Sequence, residues 1–232
     1  MTETSKIPIK VLILPKFEVA GMSGDFPGEA QFYYEAFLLD SDEYEIRGSF
    51  RNNKLYVKDG IAMYLTGMGK VNSALSTMAV LLDSRFDFSD AYIISTGCAG
   101  TAVEYSVMGD VFLVTAAVDY ELGHRADSRE MQDPSRETWF HDREYDDAAY
   151  IKLNPDLMHR VYELIKDVKL KTTDRTKNYM HTAFDGADWA VRDPMVLRGT
   201  TITGDNYWKG IYDHKNALLI TKTYGAPEGS EE

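Results

Sequence analysis

A single cysteine, Cys98, stands among 232 residues, so no intrachain disulfide can form. Histidine is scarce too, at five, and no Cys/His cluster has the spacing of a structural zinc site. Long apolar runs are missing. The longest, Ile7–Leu14 and Val111–Val118, are strand-length and fall well short of the roughly 20 residues of a membrane-spanning helix. Met1–Lys6 is polar and lacks the apolar centre of a signal peptide. Basic residues are outnumbered, 25 Lys and Arg against 37 Asp and Glu, for a net charge of −12. That balance argues against a nucleic-acid backbone as partner, because phosphate recognition needs Lys and Arg patches. These absences predict a protein of the cytoplasm. There is no repeat and no low-complexity linker, so residues 1–232 are expected to form one domain. The 44% hydrophobic content is enough for a core, and 225–232, rich in Gly, Pro, Ser and Glu, is expected to be a disordered tail.

Strand and helix patterns roughly alternate, which predicts an α/β class with a mixed sheet. Strands are expected at Ile7–Leu14, Tyr44–Phe50, Lys54–Val57, Ile61–Thr66, Tyr92–Thr96, Val111–Val118, Gly199–Thr203 and Ala217–Thr221. Helices are expected at Glu29–Leu39 and after Gly69, the latter with Val71, Ala74, Leu75, Met78 and Leu82 on one apolar face. A third is expected at Pro155–Val168, with Asn154 as N-cap and Pro155 at its first position. Asp188–Leu197 is a weaker helix, interrupted by Pro194. Gly123–Ala149 is charged and aperiodic, the pattern of an ordered insertion over a cleft or of a subunit contact.

Three glycine turns follow strands, where small residues let a ligand approach the backbone. In Gly67–Ser73, amides at a helix start and the charge of Lys70 suit an anion, with Gly69, Lys70 and Ser73 as its contacts; a plain tight turn explains the same residues. In Thr96-Gly97-Cys98-Ala99-Gly100, backbone groups with Thr96 or Cys98 suit a ligand pocket; packing of small residues is the alternative, and Cys98 reads more readily as an inert thiol than as a nucleophile. In Thr203-Gly204-Asp205-Asn206-Tyr207-Trp208, the adjacent aromatics suit a flat ring and Asp205 an amino group; an aromatic hinge plugging the core fits equally well. His124 follows the long strand and suits a hydroxyl or phosphate, or is a solvated loop residue. The loop from Gly21 to Gly28 offers amides to an anion, or only flexibility.

Taken in order, these turns resemble the nucleoside phosphorylase/nucleosidase superfamily. Gly67-Met68-Gly69-Lys70-Val71 looks like its Gly-x-Gly-Lys-Val helix start. Thr96–Gly100 with Gly109-Asp110 looks like its Thr-Gly-Ser-Ala-Gly…Gly-Asp signature, and Thr203–Tyr207 like its Ser-Gly-Asp-x-Phe turn. Asp119–Arg125 and Gly204–Trp208 are most similar to the group called purine nucleoside permeases. The resemblance implies a three-layer α/β sandwich with a mixed central sheet and cleavage of a purine nucleoside at its N-glycosidic bond. Phosphate would be the co-substrate of a phosphorylase and water that of a nucleosidase, with no cofactor and no metal. It places Cys98, Ala99 and Gly100 on the ribose and anion side and Tyr207 against the base. The superfamily's Met-Glu pair and its later Asp are not found before Glu232, so the fold is expected to be C-terminally short, and no general acid is named. Neither the Gly67–Ser73 turn nor the Gly21–Gly28 loop carries an Arg. Three functions stay open: an enzyme, a soluble nucleoside-binding protein tied to uptake, and an oligomer-building paralogue. A homo-oligomer is expected from the family and from aromatics that look exposed: Tyr33, Tyr34, Trp139 and Phe140.

Overall fold

The computed structural model describes residues 5–49, 53–101, 105–133, 138–141 and 143–225. The expected tail at 225–232 lies outside them except for Gly225. The chain divides into two compact units, Met1–Cys98 and Ala99–Glu232.

The first unit is built on a five-stranded sheet in the order β3-β4-β5-β2-β7, with β2 at Val11–Leu14, β3 at Asp42–Glu45, β4 at Lys54–Lys58, β5 at Ile61–Met63 and β7 at Tyr92–Ser95. β2 runs parallel to β5 and β7, while β3, β4 and β5 form an antiparallel meander, so the sheet is mixed. Strand alternation assigns its two faces. Leu12 and Leu14 pack with Ala62, Tyr64 and Val80, which belongs to helix α2 at Lys70–Leu81. Ile13 and Met63 pack with Ala30 and Leu38, which flank helix α1 at Gln31–Phe37.

Three sequence expectations change here. Ile7–Leu14 is two strands, because Pro8 has no N–H to continue a ladder. Ile7–Pro8, β1, pairs instead with β6 at Phe86–Asp87, and Lys10 N donates to Gly60 O at 2.7 Å. The strand expected at Tyr44–Phe50 is β3 and ends at Glu45. In α2 the buried side chains are Ser76 and Val80, whereas Val71, Leu75, Met78 and Leu82 are exposed. Val80 packs into the core, and the apolar stripe faces outward.

The second unit holds a three-stranded mixed sheet, β11-β8-β12. Its long central strand β8, Val111–Asp119, is parallel to β12 at Val196–Thr203 and antiparallel to β11 at Tyr150–Lys152. Helix α4, Pro155–Ile165, begins as expected, with Asn154 Oδ1 accepting from Leu157 N at 3.0 Å. Helix α5, Asp174–Ala183, went unread because it is polar; its N-cap Thr173 accepts from Thr176 N at 3.1 Å. Ala217–Thr221 is no strand but part of helix α6, Ile211–Thr223, and it buries Ala217, Ile220 and Thr221 at helical spacing. A short apolar run does not by itself tell strand from helix. The weak helix at Asp188–Leu197 is a 3-10 turn, Asp188–Val191, that gives way to β12 after Pro194. The charged stretch from Gly123 holds a small hairpin, β9 at His124–Arg125 and β10 at Trp139–Phe140, and the short helix α3 at Asp146–Ala149. Of the aromatics expected on the surface only Phe140 is exposed; Trp139 is buried, and Tyr33 and Tyr34 are half-buried.

Candidate functional site

In the first unit three parallel strands, β5, β2 and β7, end side by side, the place where open α/β sheets form a binding crevice. Thr66 N donates to Pro15 O and Gly67 N to Lys16 O, both at 3.0 Å, which aligns the segments leaving β5 and β2. Glu29, just ahead of α1, closes the group. Its Oε2 accepts from Lys16 N at 2.8 Å and its Oε1 from Cys98 N at 2.9 Å. The carboxylate therefore spans the ends of two strands. A Cβ at Gly97 would lie 2.8 Å from Glu29 Oε1, so the carboxylate would have to shift to admit one. Nearby along the chain, Tyr33 Oη and Thr96 Oγ1 are hydrogen-bonded at 2.9 Å, and Lys16 Nζ donates to Leu14 O at 2.8 Å and to Ser95 Oγ at 2.7 Å. Burial pushes the Lys16 ammonium down, and the charge of Glu29 offsets part of that. Burial and the Glu29 charge both push the Cys98 thiol up, so it is protonated at neutral pH and is not an activated nucleophile.

The residues marked for an anion are placed as follows. Gly21 N donates to Asp25 Oδ2 at 2.7 Å and Gly24 N to Glu35 Oε1 at 3.0 Å. Glu18 gathers four amides: Val19 N at 2.8 Å and Gly28 N on one oxygen, Ala30 N at 3.0 Å and Gln31 N at 2.7 Å on the other. Burial alone would raise this carboxyl, but those hydrogen bonds outweigh it and hold it below its usual range. Gly69 is the N-cap of α2 and Lys70 its first residue, and Ser73 Oγ donates to Thr66 Oγ1 at 3.2 Å.

In the second unit a carboxylate again holds a glycine turn. Glu121 Oε1 accepts from Asp205 N at 2.8 Å and from Asn206 N and Nδ2 at 3.2 Å, and a Cβ on Gly204 would lie 3.2 Å from that oxygen. Asp119 Oδ1 fixes the preceding bend through the amides of Glu121 and Leu122, at 2.8 and 2.9 Å. Trp208 stacks on Tyr120, centroids 5.0 Å apart and planes 18° from parallel, and the Arg125 guanidinium lies 4.5 Å from the Tyr120 ring centre. Trp208 is thus a packing residue, whereas Tyr207 is 89% exposed. Tyr120 Oη donates to Asp213 Oδ1 at 2.9 Å; burial and that bond push the phenol up to about 12. His124 and Asp205 are exposed, as are Ala99 and Gly100 at the start of this unit. Asp110, in the Gly109-Asp110 pair, is structural. Its side chain is 2% exposed and accepts from both Arg192 guanidinium nitrogens and from the amides of Val107 and Met195, the last two at 2.8 Å. A cavity of 460 Å³ elsewhere in this unit, lined by His141, Asp146, Asp147, Tyr150, Lys152, Thr223 and Tyr224, contains none of the residues that the sequence marked for a ligand.

Lys16, Glu18, Glu29 and Glu121 were not singled out from the sequence. What marks them is position: each lies in a loop leaving the C-terminal end of a strand. Among the described residues no group of three His, Cys, Asp or Glu is placed to hold a metal, and no helix is long and apolar enough to cross a membrane.

This arrangement of mixed sheets and strand-end turns is the nucleosidase fold. A 5′-methylthioadenosine/S-adenosylhomocysteine nucleosidase from Colwellia psychrerythraea, solved with adenine, superposes with a TM-score of 0.54 over 96% of this chain and 72% of its own, at 14% identity. Within that fold the chain belongs to the purine nucleoside permease family, whose pattern matches residues 8–230. A probable purine nucleoside permease of Schizosaccharomyces pombe is 30% identical over 183 residues, 69% of this chain and 52% of the relative. A purine nucleoside permease of Candida albicans is 25% identical over 168 residues, 65% of this chain and 40% of the relative. The chain therefore spans about half the length of the curated relatives it matches.

Proposed function

We propose that this protein binds a purine nucleoside and cleaves its N-glycosidic bond with water. The observation that carries this is Glu29, a carboxylate held by the amides of Lys16 and Cys98 at the ends of β2 and β7. Those two bonds leave each oxygen a lone pair, so Glu29 can accept a proton from a water molecule. The water oxygen bonds to the anomeric carbon and its proton passes to Glu29. The carbon–nitrogen bond breaks with its electron pair going to the purine, which takes up a proton from solvent. The hydroxyls of Tyr33 and Thr96 supply neighbouring contacts for a sugar. Glu18 favours water over phosphate, because the loop amides that would hold an anion already hold this internal one. The exposed stripe of Val71, Leu75, Met78 and Leu82 on α2 supports a homo-oligomer that covers it.

A second reading has its own support: the curated relatives are called permeases, and no helix among the described residues is built to span a membrane. It makes the chain a nucleoside-binding protein that serves uptake without turnover. Release of purine from inosine, adenosine and guanosine, measured with and without phosphate, separates the two. Phosphate-independent release supports the hydrolase. Phosphate-dependent release contradicts it. Calorimetric binding with no release leaves the binding protein.

A further inference from the structure

Lys16 follows the central of the three parallel strands and turns its ammonium back over the strand ends. Two of its three N–H groups are used, on Leu14 O and Ser95 Oγ. The third has no acceptor, and the ammonium has no direct ion-pair partner, among the described residues. A half-buried charge without a counter-ion is costly, and a neutral donor would bridge a carbonyl and a serine as well. The cost makes sense where the free N–H meets a ligand. Glu29 bonds the Lys16 backbone amide and acts on the Lys16 ammonium through its field, so the two charges leave little net charge for a phosphate and suit a neutral, oxygen-rich group. The hydroxyls of Tyr33, Thr96 and Ser95 in the same unit extend that polar surface.

We propose that Lys16 is a sugar-binding residue, whose free N–H donates to a hydroxyl of the nucleoside's ribose. This rests on the nucleoside reading above and adds a determinant that separates nucleoside from free base. The ring-bearing half of the ligand is not its concern.

The test is calorimetric binding of adenosine and of adenine to the full chain and to two variants, Lys16→Met and Lys16→Gln. A lost hydrogen bond from a charged donor predicts that Lys16→Met weakens adenosine about 10-fold or more while adenine stays within about twofold. Lys16→Gln keeps donors without the charge and is expected to fall between; it decides the matter if Lys16→Met does not fold. Unchanged adenosine binding in the folded variants overturns the assignment, as does an equal loss for adenine and adenosine, which marks a structural role. If the unaltered protein binds adenosine and only the variant prediction fails, Lys16 alone is wrong. If the unaltered protein binds no nucleoside, the functional reading falls and takes this with it.

Discussion

Two glycine turns, one in each unit, are held by the same part: a glutamate oxygen within about van der Waals reach of where a Cβ would stand, 2.8 Å at Gly97 and 3.2 Å at Gly204. They differ in how the carboxylate is shared. Glu29 spreads its oxygens over the ends of two strands, through Lys16 N and Cys98 N. Glu121 gives one oxygen to three donors of a single turn, Asp205 N and both nitrogens of Asn206. The residues that the first carboxylate holds lead to an ammonium and hydroxyls: Lys16 bonds Ser95, and Thr96, two residues before Cys98, bonds Tyr33. The second lies beside stacked rings, Tyr120 and Trp208, with the Arg125 guanidinium against Tyr120. A carboxylate that holds strand ends with acceptor capacity to spare is suited to chemistry. One that closes a local turn next to aromatics is suited to shaping a surface. The same residue type at the same kind of position thus acquires different work from its neighbours.

The sharpest way to break this comparison is to add a methyl group to each turn. Gly97→Ala is expected to cost about 1 kcal/mol, the low end for overpacking, because it must displace the Glu29 carboxylate, and Gly204→Ala less, since the Cβ would lie 2.8 and 3.2 Å from the two carboxylate oxygens. Urea unfolding of both variants checks the order; equal losses would mean that the Glu29 turn yields as easily as the other.

Tyr120 sharpens the second half. Its phenol is raised from the ordinary 10 to about 12, so the folded state holds that proton more tightly. The stability this contributes is full below pH 10 and is lost as pH rises through 12. Tyr120→Phe is expected to cost about 1 kcal/mol at neutral pH, the usual worth of one hydrogen bond, and to flatten the alkaline limb of a melting-temperature profile. The smallest effect concerns Glu18. Its carboxyl is held low, so its contribution is present above the ordinary carboxylate range and is lost as pH falls through the folded value. Glu18→Gln is expected to remove about 0.5 kcal/mol at neutral pH, the scale of an exposed charged contact, and less at pH 3, by the same melts.

Much of this was legible in the sequence. The glycine turns marked the strand ends, because small residues at such ends have few other reasons to recur, and Asn154-Pro155 marked a helix start that the structure reproduces. What could not be read was tertiary. Glu29 is one acidic residue among many until the fold brings Lys16 and Cys98 to it. Tyr207 and Trp208 are adjacent and alike in chemistry, yet only the stacking on Tyr120 makes one of them a packing residue. Asp110 looked like part of a ligand signature and proves to be the buried partner of Arg192, 82 positions away. The apolar stripe of α2 is real as a pattern, but which face meets the sheet is decided by Ser76 and Val80.

The central claim is that Glu29 performs the chemistry. Purine release from adenosine by Glu29→Gln, measured beside calorimetric binding of adenosine to the same variant, tests it most directly. Release is expected to fall at least about 100-fold, the lower range for a lost general base, with binding close to that of the unaltered protein. Release at the unaltered rate by a folded Glu29→Gln protein would contradict the claim.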